Sequence, residues 1–123
     1  MHAIGIDIIE IARLKKAIAQ RGEDFLKRIY TDSEIKAYRW KFPSLAARFA
    51  AKEAVIKALG KPTAGARLKE IEILADDKGK PLVNLYGEAQ SQAKALGLAK
   101  FAVSLSHSKE YAIAIAIGDT KPL

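Results

Sequence analysis

The chain has 123 residues, half of them hydrophobic and only four proline, which suits one folded domain over residues 1–123 and argues against disorder. It has no cysteine, so disulfides and thiolate metal sites are excluded, as expected of a cytoplasmic protein. The formal charge is +7, and residues 13–57 hold twelve Lys/Arg against five Asp/Glu, so the excess sits in the first half and attracts an anionic partner.

The residues from His2 to Ile11 are rich in isoleucine and read as a buried strand, with Asp7 in its middle. An acid between isoleucines either caps a turn or binds something, and Gly5 marks a point where another group comes close to the backbone. Glu10 to Gln20 and Asp24 to Ile29 read as helical pieces. Thr31 to Glu34 has the spacing of a capping box and starts a third helix through Ile35 and Tyr38. Trp40 and Phe42, interleaved with Arg39 and Lys41, read as loop or core anchors ahead of the next element.

Pro43 to Pro62 is the stretch around which the rest is arranged. Proline at its start and Gly60 before Pro62 at its end bound a helix that is apolar all round, large residues on one side and alanines on the other. Four charges interrupt it: Arg48, Lys52, Glu53 and Lys57. Glu53 and Lys57 can be an ordinary pair one turn apart, but four charges on a helix without a wet face point to a site wall.

Beyond Pro62 the pattern is a small-residue loop to Arg67, a strand from Leu68 to Ala75, a turn at 76–79 and a strand from Pro81 to Tyr86. A helix from Glu88 to Leu96 ends at Gly97, and strands Phe101 to Ser106 and Tyr111 to Ile117 follow. The last alternates large apolar residues with alanine, so both of its faces are expected to be covered. The order predicts an α+β domain with an antiparallel sheet packed around a long buried helix. No apolar run is long enough to span a membrane, no leader is expected, and there is no Walker-type phosphate loop.

Three segments together carry a resemblance: GIDIIEI at residues 5–11, RFAAKEAVIKALG at 48–60 and SLSH at 104–107 resemble the bacterial holo-(acyl-carrier-protein) synthase family of 4′-phosphopantetheinyl transferases. The resemblance implies transfer of 4′-phosphopantetheine from coenzyme A to a serine of apo acyl carrier protein, releasing adenosine 3′,5′-bisphosphate, in support of fatty acid biosynthesis. It implies that Asp7 and Glu53 hold a Mg²⁺ and, with Lys57 on the phosphates, form the catalytic group. It implies coenzyme A contacts from Arg48, Gly65 and His107, and a homotrimer with sites at subunit interfaces. Arg13 lies where such a family's first helix meets the acidic carrier, and Lys15, Lys16 and Arg21 extend that basic surface. A small nucleic-acid-binding module is the alternative, motivated by charge and by Tyr38, Trp40 and Phe42; it leaves Asp7 and Glu53 without a purpose.

Overall fold

The computed structural model describes residues 2–60 and 67–120. Strand β1 (His2–Glu10) leads into helices α1 (Ile11–Arg21), α2 (Glu23–Ile29) and α3 (Asp32–Tyr38), then the long α4 (Phe42–Ala58). A single 3-10 turn (Leu68–Glu70) precedes the hairpin β2 (Ile71–Ala75) and β3 (Pro81–Leu85); α5 (Gly87–Ala95), β4 (Lys100–His107) and β5 (Tyr111–Asp119) complete the order. The α+β reading holds, with two antiparallel sheets: a three-stranded one ordered β1-β5-β4 and the two-stranded β2-β3.

Helix α4 joins the halves. Its N-terminal Leu45, Ala46 and Ala47 pack with Leu14, Ile18, Leu26 and Tyr30 of the helical half. Further along, Ala50, Ala51, Ala54 and Val55 pack on the sheets, against Ile71, Ile73, Ala114 and Ala116. Small residues on both sides let helix and sheet backbones approach closely. A Cβ built on Gly5 would sit 1.8 Å from the Ala54 carbonyl oxygen and 2.8 Å from the Ala58 nitrogen. Only glycine fits there, as the isolated glycine in an isoleucine strand foretells.

The capping box forms: the Thr31 hydroxyl accepts from the Glu34 N–H while a Glu34 carboxylate oxygen accepts from the Thr31 N–H. Two expectations change. The strand anticipated from Leu68 begins only at Ile71, because the Lys52 ammonium donates to the carbonyl of Leu68 and Glu70 turns its carboxylate back onto the Arg67 N–H. The strand His2 to Glu10 and the strand Tyr111 to Asp119 are each covered on one face only. Ala112, Ala114 and Ala116 are buried, whereas Ile113, Ile115 and Ile117 stay about 40% exposed, as are Ile4, Ile6 and Ile8 to a greater degree. The register sets Ile4 opposite Ile117, Ile6 opposite Ile115 and Ile8 opposite Ile113, so isoleucine pairs run along the open face.

Candidate active site

The close approach at Gly5 places the site. Asp7 lies two residues further along β1, on the same face, opposite the buried Ala114. Glu53 and Lys57 each immediately precede one of the α4 residues that press on Gly5, so helix and strand deliver all three side chains together. The Lys57 ammonium lies 3.0 Å from Asp7 Oδ1 and 3.0 Å from the Ile6 carbonyl oxygen, which both accept from it. Lys57 thus pairs across 50 residues of sequence rather than with Glu53 one turn away.

Glu53 is half-buried. Burial, and then the charge of Asp7, raise its pKa above the usual carboxylate value, while Lys57 pulls it back down. Two carboxylates therefore share one electrostatic environment. They line a cavity of about 420 Å³ whose apolar wall is Phe25 and Phe49. Arg13, Ala17 and Arg21, successive turns of one α1 stripe, form the opposite wall. Phe25 and Phe49 have no prior signal beyond Phe49 standing one turn before Glu53. Lys15 departs from this stripe: its ammonium rests 5.3 Å over the Phe42 ring, on the other flank of α1.

The donor set suits a hard divalent cation. Mg²⁺ takes oxygen ligands, keeps waters and needs one or two carboxylates beside substrate phosphates. Asp7 and Glu53 supply that number. Among the described residues no cluster of three or more acidic, histidine or cysteine side chains forms a ready-made cage, so phosphate and water oxygens would complete the shell.

Two charges of the buried helix stand apart from the cavity. Lys52 is fully buried and pairs with Glu34 at 2.6 Å; it also donates to the carbonyls of Leu68 and Ile71. Burial lowers its pKa, and the Glu34 carboxylate opposes that shift. Glu34 in turn accepts from the Ile73 N–H, and no buried side-chain polar atom among the described residues is left without a partner. Arg48, expected at the coenzyme, is nine positions before Lys57 and so on the opposite side of α4. Within the single chain it is only 8% exposed. Its guanidinium lies 3.7 Å from the centre of the Tyr38 ring and donates to the Tyr38 hydroxyl and the Ile73 carbonyl. His107 ends β4 in the open, in register with Ala112, and β5 separates that strand from β1. Neither residue joins Asp7 within one chain. Gly65 lies outside the described residues.

The sequence profile of the 4′-phosphopantetheinyl transferase superfamily matches residues 3–116. The chain is 53% identical over 113 residues to a holo-(acyl-carrier-protein) synthase of Dehalococcoides mccartyi, covering 92% of this chain and 94% of that one. Its fold is similar to the holo-(acyl-carrier-protein) synthase of Helicobacter pylori in complex with coenzyme A (TM-score 0.84, 33% identity, 94% and 99% coverage). It is also similar to the Bacillus anthracis enzyme solved with coenzyme A (TM-score 0.79, 33% identity, 97% and 96% coverage). With the profile spanning nearly the whole chain and relatives this similar, the chain belongs to the 4′-phosphopantetheinyl transferase superfamily, among its holo-(acyl-carrier-protein) synthases.

Proposed function

We propose that this chain transfers the 4′-phosphopantetheine group of coenzyme A to a serine of apo acyl carrier protein and releases adenosine 3′,5′-bisphosphate. The family and its coenzyme A-bound relatives support the reaction class. The observation that carries the residue assignment is that Asp7 and Glu53 line one cavity and that the Lys57 ammonium is bonded to Asp7.

Asp7 and Glu53 would hold a Mg²⁺ beside the phosphates of coenzyme A. When bound, the ion neutralises charge on the phosphates and polarises the phosphorus under attack. Lys57, more than half exposed and tethered by Asp7 and Ile6, extends a positive charge toward the same phosphates. The carrier serine oxygen forms a bond to the phosphorus that carries pantetheine, and the bond from that phosphorus to the bridging oxygen breaks. Glu53, at the cavity beside Asp7, is the chain's own candidate to take the serine proton, with a Mg²⁺-bound water as the other. Phe25 and Phe49 offer an apolar wall beside the reacting groups.

The open isoleucine face supports a homotrimer. Paired isoleucines exposed on two strands, β1 and β5, are costly in water, and a self-complementary apolar face is what copies of one chain bury together. Assembly offers a neighbour's His107, exposed at the end of β4, a route to the nucleotide that one chain does not give it. A monomer by light scattering at working concentration contradicts this. The family supports a role in fatty acid biosynthesis, the lack of cysteine suits a reducing cytoplasm, and no helix among the described residues is long and apolar enough to cross a membrane.

The test is transfer itself. Apo carrier protein, coenzyme A and Mg²⁺ are incubated with this protein, and the phosphopantetheine adduct is sought by mass spectrometry. The adduct is expected with the wild type and lost in Asp7→Ala and Glu53→Ala, with Lys57→Ala strongly slowed. Full activity in Asp7→Ala or Glu53→Ala would remove the assignment. Salt-sensitive binding of DNA with no adduct would favour the nucleic-acid module instead.

A further inference from the structure

Trp40 is out of place by every local rule. It is the only tryptophan of the chain and is 65% exposed. It is also the one non-glycine among the described residues with positive φ, at 67°. A bulky side chain is disfavoured in that left-handed region, where glycine or asparagine sits at ease. Its turn is nonetheless firmly built: the Arg39 N–H donates to the Ile35 carbonyl, the Lys41 N–H to that of Tyr38 and the Leu45 N–H to that of Lys41. Strain held in place by its surroundings is a mark of a used position.

The ring stands among cations. The Arg39 guanidinium lies 6.0 Å from its centre, and Arg39 is itself held by Glu23. The ring meets Phe42 edge-on at 6.4 Å, and the Lys15 ammonium of α1 lies 5.3 Å from the centre of Phe42. Lys41 is exposed beside it. An exposed aromatic with a cationic rim matches an apolar side chain set among carboxylates, the surface of an acidic protein. Its position adds a second argument. Arg13 and Arg21 face the cavity of Asp7 and Glu53, while Lys15, on the other flank of α1, meets Phe42, the ring that Trp40 contacts edge-on. A helix with its side chains is only about 10–12 Å wide. One small acidic domain lying across α1 therefore reaches both flanks at once.

We propose that Trp40 is a docking anchor for the acidic carrier protein, gripping it across α1 from the reaction cavity while Lys41 and Lys15 meet its carboxylates. This rests on the transferase reading. Trp40 touches no reacting atom, so it governs how the carrier is held and not the chemical step.

The chain's only tryptophan makes the test direct. Apo carrier protein without coenzyme A is titrated into the wild type while Trp40 emission is followed; a saturable shift is expected. Steady-state kinetics are then compared for Trp40→Gly, Trp40→Asn and Trp40→Phe. The first two suit the positive φ and are expected to unfold no earlier than wild type. They should raise the carrier KM about tenfold, as loss of an aromatic anchor does, with kcat and the coenzyme A KM unchanged. Trp40→Phe is expected to retain most of the wild-type KM. Unchanged emission, an unchanged carrier KM, or an equal shift with a DNA duplex overturns the proposal. Emission that varies with protein concentration alone would give Trp40 to a second copy and overturn it too. A wild type that binds carrier through Trp40 yet makes no adduct would sink the reaction reading and leave the docking claim standing.

Discussion

The Ala54 carbonyl oxygen occupies the space that a side chain on Gly5 would need, 1.8 Å from the position of its Cβ. The atom in the way belongs to a helix backbone, so it cannot swing aside as a flexible side chain would. Gly5→Ala is therefore expected to push α4 off β1. Overpacking costs about 1–3 kcal/mol, against a gain of about 0.4–1 kcal/mol from restricting the unfolded chain. The cost wins, and activity falls further than stability because Glu53 and Lys57 move away from Asp7. Urea unfolding and the transfer assay check this; an unchanged midpoint would show that the contact is slack.

Ionised Glu53 destabilises the fold. Its folded-state pKa lies above the ordinary 4.5, so in the window just above 4.5 the folded chain keeps a proton the unfolded chain has lost. Stability from this group is complete below 4.5 and is lost as pH rises through the raised value. Glu53→Gln removes the dependence. The variant's advantage over wild type, followed by urea unfolding without added metal, should grow as pH rises from 4.5 toward neutrality and then level off. An advantage that shrinks over that range would reverse the sign.

Lys52 and Glu34 are both fully buried and bonded to each other. Removing one partner strands a charge, and for buried pairs that loss runs to about 3–5 kcal/mol. Lys52→Met is expected to destabilise by roughly that amount. The double variant Lys52→Met/Glu34→Gln should recover part of it, although Glu34 also serves the N–H groups of Thr31 and Ile73. A loss below 1 kcal/mol would mean the pair is dispensable.

Arg13 and Arg21 are exposed, yet line the cavity. Reversing both to Glu should slow carrier association steeply at low salt and far less at high salt, with coenzyme A binding nearly intact. Initial rates over a salt series decide it. A salt-independent defect would point to damage inside the cavity rather than lost steering.

The parts of the fold that were legible in the sequence are those where local chemistry leaves one choice. Gly5 within an isoleucine run announces a close neighbour, and Thr31 with Glu34 announces a helix start. The alanine helix reads as buried because it has no wet face. What stays hidden is which partner a charge finds. Nothing local tells that Lys52 meets Glu34, 18 residues away, or that Arg48 turns to Tyr38 and Ile73 while Lys57 turns to Asp7. The open isoleucine face has a similar cause. Period-2 alternation of apolar residues looks the same whether the second face is covered by the chain itself or by another copy.

The proposed reaction requires one cation shared by Asp7 and Glu53 over a diphosphate. Crystals of the protein grown with coenzyme A and Mn²⁺ in place of Mg²⁺, measured for anomalous scattering, locate that ion directly. One peak is expected between the carboxylates of Asp7 and Glu53, in contact with the diphosphate oxygens. Bound coenzyme A with its metal held by neither carboxylate, or by groups elsewhere on the chain, would contradict the account.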